Sequence, residues 1–338
     1  MCGICGYIGR KNIALEQLKA MNDTKYHRGP DDSGEEIYEM GGGWQVGFAQ
    51  RRLSILDLSA LGHQPMHSPD GRVSIVYNGE IYNFRELREQ LADYSFRSDC
   101  DTEVIIAAYL KWGIQCVERF NGMFAIALYD RQAEEVFLVR DRIGKKPLYY
   151  WYENRALVFA SELKPIMKCP GFKGEIETRV LSRYLFQQYV NAPESIWQRV
   201  YKVEPGAILR FSHGEISTWK YWDIKEVYRQ AQTDRIEEYQ DAKEQLKSLL
   251  KKSVRMRMIA DVPLGSFLSG GYDSSLIPAI AQECSDSPVK TFSIGFHEEK
   301  YNEAIYARAV AEHLGTKHTE LYIDEQDMFD LVESIPQY

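Results

Sequence analysis

The chain has 338 residues, of which 44% are hydrophobic and 27% are charged, and its formal net charge at pH 7 is −8. This length accommodates two domains of ordinary size, the composition is that of a globular protein, and the negative charge argues against a nucleic-acid-binding scaffold. No stretch approaches the roughly 18 apolar residues of a membrane helix, and the N-terminus lacks the features of a signal peptide. The six cysteines are not spaced like a disulfide framework. We therefore expect a cytoplasmic protein with no membrane or nucleic-acid partner.

Residues 1–190 show short apolar runs of strand type and a few helical segments, which predicts an α+β domain with mostly antiparallel strands. Asn78-Gly79-Glu80 is a turn signal, and Asp101 or Thr102 would cap a helix that runs to Trp112. The predicted strands are 73–77, then 124–129, 135–140, 148–152 and 157–160 as successive strands of a meander, and the predicted helices are 83–92, 101–112 and 179–190.

The second half of the chain changes from isolated strands to a regular alternation of strands and helices. Residues 191–237 are expected to connect the two halves, and a long helix is predicted over 238–258. Strands alternating with helices predict a parallel sheet and an α/β domain over 238–338. The predicted strands are one ending at 268, 290–296 and 318–322, and the predicted helices are one from 274, 303–314 and one from 325.

Cys2 directly follows the initiator methionine. After removal of Met1, the thiol would stand beside its own α-amine, whose ordinary pKa of about 7.7–8.0 suits it to take the thiol proton. Cys2 could instead be an ordinary small apolar residue, or pair with Cys5 in a zinc or redox site. Zinc needs four ligands, however, and no second cysteine pair or Cys/His cluster follows.

Five short blocks in the first half resemble the class II glutamine amidotransferase domain, the type with an N-terminal nucleophile. The resemblance covers residues 1–190 and implies an αββα sandwich with glutaminase activity. The blocks are Cys2-Gly3-Ile4, His27-Arg28-Gly29-Pro30-Asp31, Arg51-Arg52-Leu53-Ser54-Ile55, Asn78-Gly79-Glu80-Ile81-Tyr82-Asn83 and Asp101-Thr102-Glu103.

The resemblance implies roles in binding and hydrolysing glutamine for residues of four blocks, whereas Arg28-Gly29-Pro30-Asp31 looks like a rigid loop that shapes the pocket. Cys2 would attack the side-chain amide, with the Asn78 side chain and the Gly79 N–H as oxyanion donors. The guanidinium of Arg52 would bind the α-carboxylate. The backbone of Leu53, Ser54, Ile55 and Leu56 would line the pocket, and Asp101 with the backbone around Glu80 would hold the α-ammonium. Without the resemblance, Arg51 and Arg52 could be a solvated pair, Asp101 only a helix cap and Asn78-Gly79 only a turn.

A second constellation lies in the glycine-rich segment between a predicted strand and a predicted helix. Such a segment presents backbone N–H groups and a helix N-terminus to an anion. It resembles the pyrophosphate-binding loop of ATP pyrophosphatases, which implies ATP binding and a Mg²⁺ ion held by Asp273. The ATP-site residues implied are Leu268, Ser269, Gly270, Gly271, Asp273, Ser274 and Ile294.

The order of the two motifs resembles the glutamine-hydrolysing asparagine synthetase family, which are carbon–nitrogen ligases. The resemblance implies ATP-dependent synthesis of asparagine from L-aspartate through β-aspartyl-AMP, with ammonia released from L-glutamine by Cys2, and leaves a homodimer open. Family members are longer and carry a further Ser-Gly-x-Gly-x-Asp-Glu block, which is not found here. We therefore expect a C-terminally truncated chain, with an incomplete second domain, that retains the glutaminase half. Two alternatives are an amidotransferase that acts on another carboxylate, such as a sugar acid, and a non-catalytic remnant that senses glutamine and ATP.

Overall fold

A computed structural model describes residues 1–233 and 235–338. The chain divides into two compact units, Met1–Gln230 and Ala231–Tyr338. Each unit has its own sheets and its own buried apolar clusters. Among the described helices, none combines the length and apolar character needed to cross a bilayer.

The first unit contains two six-stranded sheets, in which all pairings between neighbouring strands are antiparallel. The strands are β1 (Gly3–Gly9), β2 (Asp32–Met40), β3 (Trp44–Arg52), β4 (Met66–His67), β5 (Val73–Ile81), β6 (Gly122–Asp130), β7 (Glu135–Arg140), β8 (Tyr149–Glu153), β9 (Ala156–Ala160), β10 (Val200–Lys202), β11 (Ala207–Ser212) and β12 (Glu215–Lys220). The first sheet has the order β10-β8-β9-β1-β3-β2, and the second has the order β12-β11-β7-β6-β5-β4.

The inner faces of the two sheets bury one apolar cluster, to which Phe48 and Phe159 of the first sheet and Leu138 and Phe211 of the second contribute. Helices cover the outer faces. Leu18 of one helix packs with outward-facing residues of the first sheet in a separate cluster, and the buried helix that begins at Asp101 lies against β5 of the second. The predicted αββα sandwich is therefore confirmed. Its helices are α1 (Leu15–Asp23), α2 (Phe84–Gln90), α3 (Asp101–Trp112), α4 (Leu163–Lys168), α5 (Thr178–Gln187) and α6 (Ile224–Ala231).

The predicted strand positions hold, but the predicted meander is wrong. β6 and β7 pair in the second sheet, whereas β8 and β9 pair in the first. Each pair is a local antiparallel hairpin, so its sequence pattern does not say which sheet it joins, and the loop 141–148 carries the chain from one sheet to the other.

The segment 191–237, expected to be a connection, supplies strands to the first unit. β10 extends the first sheet at its edge, and β11 and β12 extend the second beside β7. Burial of Ile208, Leu209 and Phe211 explains why this segment folds with the sandwich.

The second unit has a three-stranded parallel sheet of order β13-β14-β15, as the alternating pattern predicts. Its strands are β13 (Gly265–Phe267), β14 (Lys290–Phe296) and β15 (Lys317–Ile323). Its helices are α7 (Tyr239–Arg257), α8 (Tyr272–Glu283), α9 (Ala304–Leu314) and α10 (Glu325–Val332). Two small apolar clusters stabilise it, one around Val254 and Ile280 and the other around Leu268 and Ala307.

Candidate active site

Four element ends meet at one cavity of the first unit. Cys2 precedes β1, Arg52 ends β3, Asn78 lies near the end of β5, and Asp101 begins α3. The cavity has a volume of about 380 Å³. Nine of the ten predicted glutaminase-site residues line it, namely Cys2, Arg52, Leu53, Ile55, Leu56, Asn78, Gly79, Glu80 and Asp101.

Ser54 is the predicted residue that does not line this cavity. Its backbone N–H donates to the Asp31 carboxylate at 2.8 Å, so it helps to hold the loop that follows β3. Nine further residues line the cavity without having been predicted to bind glutamine, and they are Met1, Gln50, Gln64, Tyr77, Cys100, Thr102, Met123, Lys145 and Lys146.

Cys2 is held by its backbone as well as by its thiol. The Sγ atom lies 3.3 Å from the Leu53 nitrogen, and the Cys2 carbonyl accepts a hydrogen bond from Arg28 Nε at 2.9 Å. The guanidinium of Arg28 is in turn paired with Glu162 at 2.9 Å. Burial raises the pKa of the Cys2 thiol, while the Leu53 N–H lowers it. The nucleophile candidate is therefore fixed in position, and its ionisation requires compensating positive charge.

The alternative zinc or redox site at Cys2 and Cys5 finds no support in the geometry. Cys5 is fully buried in the apolar cluster on the outer face of the first sheet, and both cysteines are free thiols. Among residues 1–233 and 235–338, no group of three His, Cys, Asp or Glu side chains could hold a metal ion.

Asn78 and Gly79 lie inside β5 and not in a turn, which corrects the predicted turn. They stay in register with Ala125 and Phe124 of β6. The Nδ2 atom of Asn78 is buried and has no hydrogen-bond partner in the described chain. An unpartnered buried donor costs about 1–3 kcal/mol, so its presence in a polar cavity fits a donor that awaits an oxygen atom of a ligand.

Gly79 is required by the close approach of β5 to β6. A Cβ atom at this position would lie 2.2 Å from the Met123 carbonyl oxygen, which the strand pairing cannot accommodate. The residue type therefore has a packing reason that is independent of any catalytic role for its N–H group.

Arg52 is buried, unlike a solvated arginine. Its Nη2 atom donates to the carbonyls of Leu56 at 3.0 Å and Asp57 at 2.6 Å. A Cβ atom at Gly62 would come within 1.9 Å of the same Nη2 atom, so this glycine leaves room for the guanidinium. The neighbouring Arg51 pairs with Asp23 and does not line the cavity.

Glu80 and Asp101 bring two carboxyl groups into the cavity. Burial raises the pKa of both, and the negative charge of Asp101 further raises that of Glu80. Asp101 Oδ2 accepts hydrogen bonds from the Tyr77 hydroxyl at 2.8 Å and from the Ile81 N–H at 2.9 Å. Two neighbouring buried carboxyl groups favour a bound cation.

The residue that caps α3 is Cys100, so the prediction that Asp101 or Thr102 caps this helix is wrong.

A second cavity of about 380 Å³ lies beyond the other end of β1, where Arg10, Lys11 and Trp44 contribute to its lining. None of its lining residues in the described part of the chain is a cysteine, serine or threonine. The cavity at Cys2 is therefore the better candidate for hydrolytic chemistry.

The glycine-rich segment of the second unit follows β13 and opens α8, as predicted. Gly270 has a positive φ of 84°, and a Cβ atom there would lie 2.5 Å from Tyr306 Cβ. The hydroxyls of Ser269 and Ser274 are 2.8 Å apart, and the hydroxyl of Ser275 is buried with no partner in the described chain. The segment thus has hydroxyl and backbone donors at a helix N-terminus, which is the donor set of a phosphate site.

The other predicted ATP-site residues are Leu268 and Asp273, which flank the two glycines in sequence, and Ile294, on the strand that pairs with β13. Leu268 is buried and donates its N–H to the Phe292 carbonyl at 2.8 Å. Asp273 is exposed in the first turn of α8, and Ile294 is about half exposed on β14.

Residues 1–222 match the protein family described as glutamine amidotransferase domain, and residues 245–338 match the family described as asparagine synthase. Asparagine synthetase (glutamine-hydrolysing) 1 of Bacillus subtilis strain 168 is 36% identical over 99% of this chain and 52% of its own length. Asparagine synthetase (glutamine-hydrolysing) 3 of the same strain is 32% identical, over 98% and 56%.

A Methanocaldococcus jannaschii protein, named provisionally as glutamine-hydrolysing asparagine synthetase 2, is 38% identical over 98% of this chain and 67% of its own length. The chain thus spans about half to two thirds of the length of these relatives. The chain belongs to the glutamine-hydrolysing asparagine synthetase family, a family of glutamine-dependent amidotransferases.

Proposed function

We propose that this chain hydrolyses glutamine in the cavity at Cys2 and thereby supplies ammonia for amide synthesis. The observation that carries the proposal is the pairing of two groups in one cavity, a fixed thiol at Cys2 and an unpartnered buried amide donor at Asn78. A thiol and a preorganised donor for the developing oxyanion are the two requirements of acyl transfer from an amide.

Glutamine would be held at its two charged α-substituents. Arg52 supplies positive charge for the α-carboxylate, and Glu80 and Asp101 supply negative charge for the α-ammonium. These groups line the same cavity, and fixing both ends of the substrate would bring its side-chain amide to the thiol.

The reaction would proceed through a thioester. After removal of Met1, the α-amine of Cys2 takes the thiol proton, and the thiolate attacks the amide carbon to form a C–S bond. The oxyanion accepts hydrogen bonds from Asn78 Nδ2 and the Gly79 N–H. The C–N bond then breaks as the nitrogen takes the proton and leaves as ammonia. Water hydrolyses the thioester to glutamate and restores the thiol.

In the second unit, ATP would bind at the glycine-rich segment. The Ser269, Ser274 and Ser275 hydroxyls and the N-terminus of α8 would bind its pyrophosphate, with Leu268 and Ile294 at the nucleotide. Asp273 would hold a Mg²⁺ ion, which supplies charge neutralisation at the phosphates. The unpartnered Ser275 hydroxyl supports this placement.

The acceptor that we propose is L-aspartate, which ATP would activate as β-aspartyl-AMP before ammonia displaces AMP. The names of the similar proteins support this choice. An AMP-release assay with ammonium chloride as nitrogen donor tests it without the glutaminase reaction. AMP and asparagine in equal amounts from aspartate support the proposal, and AMP release with a sugar acid but not with aspartate contradicts it.

The glutaminase proposal is tested by covalent trapping. A glutamine analogue with an electrophilic ketone in place of the amide should form one adduct per chain, located on Cys2 by mass spectrometry. Excess glutamine should slow adduct formation. An adduct on any other residue, or glutamine binding without glutamate release, would instead favour another nucleophile or a glutamine sensor.

A further inference from the structure

Lys146 is a buried cation in the cavity at Cys2 that the proposed mechanism does not use. The residue is 6% exposed and lines the cavity. Its ammonium has neither a hydrogen bond nor an ion pair within the described part of the chain. Burial lowers the pKa of this amine, as expected for a charge removed from water without a close partner. A buried lysine is rarely unpaired, so its position in a reactive cavity suggests a role.

The loop between β7 and β8 fixes Lys146 on both sides of its Cα atom. The Asp141 carboxylate accepts the Lys146 N–H at 2.9 Å, and Arg140 Nε donates to the Lys146 carbonyl at 2.8 Å. Asp141 also accepts the N–H groups of Lys145 and Phe124, which joins the loop to β6. The backbone from which the Lys146 side chain extends is therefore held rigidly.

The charges around Cys2 leave Lys146 as a principal source of buried positive charge. Glu80 raises the pKa of the thiol, whereas Lys146 and the chain's α-amine lower it. Burial raises the pKa of Glu80, and the negative charge of Asp101 raises it further. Arg28 also acts on the charges of the α-amine and of Lys146, but its own charge is neutralised by the ion pair with Glu162. Asp141 is the negative charge that acts on Lys146 from its own loop.

We propose that Lys146 is a positioning residue for the nucleophile, because its cationic side chain lines the same cavity as Cys2 and stabilises the thiolate. The role of Lys146 in glutamine hydrolysis rests on the proposed function. The stabilisation itself is a property of the empty cavity. A cation beside a thiolate in surroundings of low polarity favours the charged form of both groups.

The test is alkylation of Cys2 by iodoacetamide as a function of pH, which requires no glutamine turnover. The thiolate carbon–sulfur bond forms as iodide leaves, so the rate follows the thiolate fraction, and a rise of one pKa unit slows the reaction about tenfold below the thiol pKa. Mass spectrometry of the N-terminal peptide isolates Cys2. The partly exposed Cys284 provides an internal reference for the reagent.

Lys146→Met should slow alkylation of Cys2 at pH 7.5 about tenfold or more and shift the rate profile to higher pH. Lys146→Arg keeps the charge and should restore most of the rate. Lys168→Met removes the same charge from an exposed lysine that does not line the cavity and should change the rate less than about twofold, because solvent screens that charge. If Lys146→Met does not fold, Lys146→Gln serves in its place.

Unchanged alkylation in both folded Lys146 variants would overturn the proposal. Weaker glutamine binding with unchanged alkylation would also overturn it, and would make Lys146 a contact of the substrate carboxylate. Failure of the glutaminase proposal would be recognised separately, because alkylation would still depend on Lys146 while glutamine hydrolysis was absent.

Discussion

The Nε atom of Arg28 donates a hydrogen bond to the carbonyl oxygen of Cys2 at 2.9 Å, so an arginine anchors the backbone of the nucleophile candidate. Glu162 accepts from the same guanidinium and from His27. The sequence predicts only that Arg28 belongs to a rigid loop that shapes the pocket. The structure adds that Arg28 fixes the position of the Cys2 backbone.

Arg28→Met should therefore lower the rate of glutamine hydrolysis about 10- to 100-fold, because a displacement of about 1 Å at a reacting group costs this much. Glutamate release under saturating glutamine measures the effect. Glutamine affinity should change little, since Arg28 does not line the cavity. A variant with a normal rate would show that the anchor at the Cys2 carbonyl is dispensable.

Arg52→Met should weaken glutamine binding about 100-fold, since it removes a buried charge-assisted contact worth roughly 3 kcal/mol. Calorimetry on chains that also carry Cys2→Ala measures affinity without turnover. Arg51→Met is the matched control, because Arg51 lies next in sequence but pairs with Asp23. Equal losses in the two variants would indicate a general effect of charge, and normal binding by Arg52→Met would move the carboxylate contact elsewhere.

Asn78→Ala should separate activity from stability. The rate of glutamine hydrolysis should fall about 10²- to 10³-fold, as for other single oxyanion donors, while the thermal midpoint should stay within a few degrees of the parent. The Nδ2 atom has no partner to lose.

Gln64→Ala is the contrasting variant for this prediction. Its amide is bonded at both ends, to Thr102 and to the Tyr77 N–H, so its loss should lower the free energy of unfolding by about 1–3 kcal/mol. A large loss of stability in Asn78→Ala together with normal turnover would reverse the assignment.

Glu80 should make stability depend on pH. Burial raises the pKa of its carboxyl group in the folded chain, so the folded state binds the proton more tightly than the unfolded state does. The stability that follows is present below the ordinary carboxyl pKa and is lost as the pH rises through the raised value. The side chain that Glu80→Gln introduces cannot ionise. The free energy of unfolding of this variant should therefore increase relative to that of the parent as the pH rises from about 5 to about 9.

Urea unfolding at several pH values measures this gain. Glu86→Gln, which changes an exposed glutamate of α2, provides the control. If the free energy of unfolding changed with pH in the same way for the parent chain and Glu80→Gln, burial would not be raising the pKa of Glu80.

Local patterns in the sequence predicted much of the fold. The alternation after residue 260 and the apolar runs of β6, β7, β14 and β15 are properties of neighbouring residues, so they identify the elements and the parallel sheet. Which sheet a hairpin joins depends on distant packing. For that reason the sequence predicts one meander where β8 and β9 join the other sheet, and a connection where β11 and β12 form.

The same limit applies to the site. Cys2, Arg52, Asn78 and Asp101 belong to blocks that the resemblance identifies, and the structure brings them to one cavity. Lys146 could not be found in this way, because a lysine in a Gly-Lys-Lys-Pro loop is normally solvated. The burial of Lys146 and its place in the cavity lining show that this residue turns inward.

The central claim is that Cys2 is the nucleophile of a glutaminase, and the direct test is glutamate release by the parent chain and by Cys2→Ala. The control is Cys284→Ala, which removes the other partly exposed thiol. We predict that the parent and Cys284→Ala release glutamate at similar rates, and that Cys2→Ala falls below about one thousandth of that rate, since covalent catalysis is lost. The fold should be unchanged by circular dichroism, and glutamine should still bind. Hydrolysis by a folded Cys2→Ala chain at more than a few per cent of the parent rate would contradict the account.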